Sequence, residues 1–173
     1  MKSHSLTLAP FRWFRLAALA LALPWAAHAA DFTVWILLLQ NPEAAQTVAT
    51  TDANEHANLL KEGWIVTATG KVLAEGGDHR GILTRMLRAK PSIARRLATT
   101  QAELDANLAE GFVVEGALGH VLLQSAPGAV AVHRFSKGER LIWVGGHHEQ
   151  YWADHQGWKR EPGIFWLTPV SGG

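Results

Sequence analysis

The chain has 173 residues, 16 Lys and Arg against 15 Asp and Glu, and no cysteine. It is long enough to bury a core of its own, and it must do so without disulfides. The balanced charge gives no bulk attraction to nucleic acid or to an anionic membrane.

Residues 1–29 read as a secretory leader. Lys2, Arg12 and Arg15 supply the positive start, Leu16 to Leu23 the apolar run, and Ala27-His28-Ala29 the small residues of a cleavage site. The run is shorter than the roughly 20 residues a membrane span needs. The expectation is therefore a secreted or periplasmic protein with no membrane insertion after cleavage. Without Lys2, Arg12 and Arg15, 13 basic side chains face 15 acidic ones, a net charge of −2 rather than +1.

The remaining residues, 30–173, read as a single domain of three repeats, 31–78, 79–127 and 128–173. Thr99, Thr100, Ala106, Asn107 and Leu108 fall on Thr50, Thr51, Ala57, Asn58 and Leu59 at an offset of 49. Glu110-Gly111-Phe112 falls on Glu62-Gly63-Trp64 at 48, and Gly111-Phe112 on Gly157-Trp158 at 46. A period of this length marks repeated supersecondary units.

The first repeat opens with Val34-Trp-Ile-Leu-Leu-Leu39, a strand whose poor alternation predicts burial on both faces. Asn41-Pro42 turns the chain. Asp52-Ala-Asn-Glu55 has capping-box spacing and starts a helix of about three turns that ends at Gly63. Trp64 to Val66 and Val72-Leu73 then read as two strands, and Gly76-Gly77-Asp78 as the joint.

The second repeat has the same order. Ile82 to Leu87 is a strand, Thr100-Gln-Ala-Glu103 caps a helix, and Gly111 ends it. Leu104 and Leu108, at i and i+4, are the expected buried stripe. Phe112 to Val114 and Val121 to Leu123 follow as strands, with Gly116 and Gly119 suited to a turn between them. Arg80, Arg85, Arg88, Lys90, Arg95 and Arg96 occur with no intervening acid. They are either an anion site, for a phosphate or an acidic polysaccharide, or a solvated hairpin face, and clustering in space decides between these.

The third repeat runs from a strand at Val130 to Phe135, through the weaker helix start Gly146-His-His-Glu149, to Gly157-Trp158 and Ile164-Phe-Trp166. Trp64, Phe112 and Trp158 share the place after the helix-ending glycine and are expected in the core. Trp143, Tyr151 and Trp152 have no such counterparts in the other repeats, and aromatic rings with polar tips suit ligand binding as well as an asymmetric core. They are the candidate ligand-binding residues. His147, His148 and His155 would be the ligands of a His-based metal hydrolase with Glu149, but His147 and His155 stand eight residues apart, too far for one ion without a bend. No metal or cofactor is expected. Ser92, Ser125, Ser136 and Ser171 lie in no Gly-x-Ser-x-Gly elbow. Glu115 and Glu161 recur at equivalent places, which argues for a structural contact rather than an acid–base pair.

The repeat resembles a tandem repeat of unknown function found in secreted bacterial proteins, often beside cell-wall or peptide-cleaving domains. Thr84-Arg85 and His133-Arg134 match its opening pair. Thr50-Thr51 and Thr99-Thr100 match a double threonine, Gly63-Trp64 and Gly157-Trp158 a Gly-Trp, and Glu115-Gly116 a Glu-Gly. The family's Asp-His-Phe-Tyr element is missing, and Gln46 to Ala49, Arg95 to Ala98 and Leu141 to Val144 stand in its place. Three units of strand, strand, short helix, strand and strand also resemble a pseudo-threefold β-trefoil, a mainly β fold closed into a barrel. The expected function is a non-catalytic binding module for a glycan or cell-envelope polymer. The competing class is a protein–protein module of the envelope.

The leader reading predicts a mature N-terminus near residue 30. Intact mass of the protein from the envelope fraction checks it, and a full-length chain in the cytoplasm would contradict it.

Overall fold

The computed structural model describes residues 31–39, 45–91, 93–146, 148, 152 and 157–170. The expected leader and the Asn41-Pro42 turn lie outside these residues. The described chain is mainly β, with two short helices. In order it forms β1 (Phe32–Leu39), β2 (Gln46–Thr50), α1 (Ala53–Lys61), β3 (Trp64–Val72), β4 (Arg80–Arg88), β5 (Ala94–Ala98), α2 (Gln101–Ala109), β6 (Val113–Leu122), β7 (Val130–Lys137), β8 (Arg140–Gly145) and β9 (Lys159–Leu167). His148 and Trp152 are helical, and the rest of the third expected helix lies outside the described residues.

Local chemistry explains the helix limits. Asp52 accepts hydrogen bonds from the amides of Asn54 (2.7 Å) and Glu55 (3.2 Å), and Thr100 accepts from the amide of Glu103 (3.2 Å). These side chains satisfy donors that a helix start leaves without partners. Gly63, Gly111 and Gly157 take φ values of 86°, 84° and 74°. An L side chain is strained there, so glycine ends the helix and turns the chain into the next strand.

All the ladders are antiparallel. One sheet has the order β2-β1-β3 and the other β5-β4-β6-β9-β7-β8. Within them β1, β4 and β7 each lie between the two strands that follow them in sequence. The C-terminal ends of the long strands touch in turn. Leu73 bridges His120, Leu122 pairs with Trp166, and Lys71 bridges Thr168. These contacts are short and both sheets remain open, so the barrel closure expected of a trefoil is not formed by the ladders.

The segment after each helix differs from expectation as well. It is one long strand rather than two short ones. Gly119 (φ 136°) and Gly163 (φ 112°) do take the left-handed conformation of turn residues. Yet β6 stays on β4 on both sides of Gly119, with register shifts at Leu83/Thr84 and Arg85/Met86. β9 likewise stays on β7, with a shift between Val132 and Arg134. An extra residue in an antiparallel ladder bends a strand without ending it.

The main core draws on all three thirds of the chain: Val34, Ile36, Leu83, Leu97, Val132, Trp143 and Phe165 belong to it. Trp64, Phe112 and Trp158 anchor three separate smaller clusters. β1 feeds several of these at once, since Ile36, Leu37 and Leu38 are all fully buried, in different clusters. Covered faces on both sides account for its weak alternation.

The expected Leu104–Leu108 stripe is not what α2 buries. Leu108 is 45% exposed and Leu104 half-buried, whereas Asn107 is buried. The inward face of α2 is polar because it meets arginine. Asn107 accepts a 2.8 Å bond from Arg96 and donates to the Met86 sulfur.

Close packing of the long strands leaves no room at Gly70, where an added Cβ would overlap the Leu167 side chain and the Thr168 carbonyl. Gly70→Ala should cost about 1–3 kcal/mol, measured by urea denaturation. Unchanged stability would show that β3 and β9 are less tightly apposed.

Candidate functional site

The arginines of the second unit divide among three places. Arg80, at the start of β4, donates to the Glu75 carbonyl at 2.8 Å. Arg85, in mid-strand, binds Glu55 of α1 with two bonds of 2.7 and 3.0 Å and lies 3.6 Å from Glu115. Arg88, Arg95 and Arg96 come together at the far end, where the short strands β2, β5 and β8 lie against one another. There Arg140 of β8 joins them around a cleft of about 310 Å³, with Gln46 and Ile93 also in its walls. Lys90 is exposed beside it in the β4–β5 connection.

The four guanidiniums are not equivalent. Arg96 is buried and fully engaged: it binds Glu110 (2.7 Å), Asn107 (2.8 Å) and the Glu139 carbonyl (3.3 Å). Its carbon lies 4.4 Å from the centroid of Phe112, and that of Arg88 4.8 Å. Arg88 reaches the Glu110 carbonyl at 3.5 Å and the Glu139 carboxylate at 4.0 Å. Arg95 donates to Gln46 Oε1 at 3.2 Å. Arg140 lies over the Trp158 ring at 5.6 Å. Such groups carry permanent charge and forked donors matched to carboxylate or phosphate.

The helix glutamates make a second kind of site, at the joints between units. Glu55 accepts from the Thr50 hydroxyl and from Arg85. Glu103 accepts from the Thr99 amide (2.8 Å) and hydroxyl (3.0 Å) and pairs with Arg134 at 2.8 Å. Glu161 accepts from the Ser136 hydroxyl. Glu115 and Glu161 thus make structural contacts. A polar cleft of about 190 Å³ between Arg96, Glu103, Glu110, Arg134 and Glu161 belongs to the same network. A cleft of about 380 Å³ beside Arg80, Ile82 and Thr100 lies at the opposite end of β4.

Two of the three aromatic residues expected to bind ligand, Trp143 and Trp152, lie elsewhere. Trp143 is 3% exposed and joins the main core, where its amide receives support from the buried Thr47 hydroxyl at 2.8 Å. Trp152 is 1% exposed and packs edge-on against Trp158, with ring centroids 5.5 Å apart. Neither offers a ring face for stacking on a ligand. Their lack of counterparts in the other units reflects asymmetric core filling. Tyr151 lies outside the described residues, as do His147, Glu149 and His155. Among the described residues no group of three His, Cys, Asp or Glu is arranged to hold a metal.

Arg140 and Gln46 were not singled out by sequence reasoning. A signal existed in the offsets near 49 and 46 residues that relate Gln46, Arg95 and Leu141, and all three line the arginine cleft.

A family model described as a domain of unknown function (DUF5648) matches residues 35–168. No curated protein and no solved structure matches the chain.

Burial of Glu55 would by itself raise its carboxyl. The bonds from Arg85 and Thr50, with the Arg85 charge, outweigh this and hold it below the usual value near 4.5. A depressed carboxyl adds stability that is present above the ordinary carboxylate range and is lost as pH falls through the lower folded-state value. Glu55→Gln should therefore be less stable than wild type at neutral pH, with the gap closing in acid. Urea melts at pH values above and below the ordinary range check this, and a pH-independent gap would assign the loss to packing instead.

Proposed function

The chain belongs to the DUF5648 family, and on that premise we propose that it is a non-catalytic binding module of the extracytoplasmic space. Its ligand site is the arginine-lined cleft at which β2, β5 and β8 converge, and its ligand class is a glycan or cell-envelope polymer. The observation that carries this reading is the composition of that cleft. Each third of the chain contributes to it, through Gln46, Arg95 and Arg140. A volume of about 310 Å³ lies at the lower end of the range for ligand pockets.

The three thirds are copies of one ββαβ unit about a pseudo-threefold axis. Supporting this are the shared strand order, the left-handed glycines at 63, 111 and 157, and the buried aromatic after each. The arrangement is trefoil-like in this sense, with open ladders in place of a closed barrel. The axis passes between the short strands, so the cleft is a joint product of all three units. The lining supports a non-catalytic role: its charged groups are four arginines and the single carboxylate of Glu139, and guanidinium neither gives up nor accepts a proton near neutral pH. The leader-like segment at 1–29 supports the compartment.

A second reading, a protein-binding module, draws on Val113 and Val114. They are 60% and 48% exposed at the start of β6, whose residues 113–119 are laddered to β4 on one side only.

Ile93 is 61% exposed at the cleft wall, so Ile93→Trp fills the cleft without changing its charge or the core. Binding to isolated cell-envelope polymer or to a glycan array should fall by about tenfold or more, with an unchanged melting temperature. Undiminished binding in Ile93→Trp, together with loss in Val113→Lys, would favour the β6 edge instead.

A further inference from the structure

We propose that the group taken by this cleft is an oxyanion, the carboxylate of a uronate or the phosphodiester of a polyol phosphate, and that Arg88 and Arg95 hold it. The inference rests on the cleft being the ligand site and adds what the site selects for.

The bonding of Arg88, Arg95 and Arg96, the three arginines that β4 and β5 bring to the cleft, separates structural from recognising groups. Arg96 has a carboxylate, an amide oxygen and a carbonyl within hydrogen-bond reach, so it serves as a fixed post. Arg88 and Arg95 are under-bonded beside it. The carboxylate nearest Arg88 is Glu139, at 4.0 Å and with a 90% exposed side chain, which is beyond hydrogen-bond length and well screened. The partner of Arg95 is a neutral amide. The Nε atoms of both are buried and make no hydrogen bond within the described residues, as is also true of Arg134, so what sets Arg88 and Arg95 apart is the lack of a close carboxylate. A guanidinium carries five N–H donors, and a buried donor left without an acceptor is costly. An incoming oxyanion would answer both deficits with charge-assisted, forked bonds. The hydroxyls of a neutral sugar would leave the excess charge standing.

Contrast with the joints strengthens the assignment. Arg85 and Arg134 are each paired with a helix glutamate at 2.7–2.8 Å. The protein therefore neutralises guanidinium where it needs only structure. The mature chain is net negative, so a positive cleft is not a by-product of a basic protein.

Glu139 gains a role from the same geometry. It follows Gly138 in the β7–β8 turn, at the lip of the cleft, and its carboxylate is a weak resident competitor for Arg88. Removing its charge should tighten anion binding.

The test is calorimetric titration of the exported full chain with three probes: oligogalacturonate for carboxylate, poly(glycerol phosphate) for phosphodiester, and neutral dextran. One anionic probe or both should bind, with affinity that falls as salt rises, and dextran should not. Which anionic probe binds identifies the source of the oxyanion. Arg95→Gln should weaken binding by about tenfold, and Glu139→Gln should strengthen it by about threefold. Melting temperatures of both variants should match wild type. Dextran binding that is lost in Ile93→Trp but indifferent to salt and to Glu139→Gln would overturn the oxyanion inference while leaving the cleft as ligand site. Failure of all three probes would overturn the inference too. If envelope binding in Ile93→Trp also stays at the wild-type level, the cleft reading falls with it.

Discussion

A carboxylate on each described helix is gripped from two sides, and the relative placement of the units depends on it. Glu55 takes the hydroxyl of Thr50 from its own unit and Arg85 from the next. Glu103 does the same with Thr99 and Arg134. Each bond set ties helix, preceding strand and following unit to one pair of oxygens. These helices are only nine residues long, too short to persist in isolation. The clamp and the aromatic beneath each helix hold it in place. The first unit has Ile36 where the others have Arg85 and Arg134, and Ile36 is fully buried in the main core.

The same residue type therefore does two jobs at the two ends of the second hairpin. At the joints arginine is matched by carboxylate and fixes geometry. Where the hairpins converge, Arg96 is so matched, whereas Arg88 and Arg95 stand in partial burial with few acceptors among the described residues. Packing against Phe112 helps keep Arg88 in position without neutralising it. A local positive field can thus persist in a chain whose acidic and basic groups nearly balance.

The core is likewise divided. One cluster spans all three units, and three smaller ones lie around Trp64, Phe112 and Trp158. The last of these is enlarged by Trp152, Phe135 and Ile142. In the last third of the chain Trp143, Trp152 and Trp158 therefore serve packing.

Local chemistry was legible in the sequence. The caps at Asp52 and Thr100, the helix ends at Gly63, Gly111 and Gly157, and the buried aromatic after each glycine depend on neighbours within a few residues, so the order of residues alone determined them. Only the tertiary structure decided the rest. Gly119 and Gly163 have the φ of turn residues, but whether the chain reverses or merely bulges is set by a partner strand more than 25 residues away in sequence. Whether Trp143 and Trp152 face solvent depends on what the other units lay against them. Eight residues of strand separate Arg80 from Arg88, about 26 Å at 3.3 Å per residue, so a cluster in sequence was spread along β4. Arg140, distant in sequence, was brought in by the packing of β8 against β5. Charge is a property of the chain, whereas proximity between distant segments is a property of the fold, and the arginine-lined cleft is made of proximity.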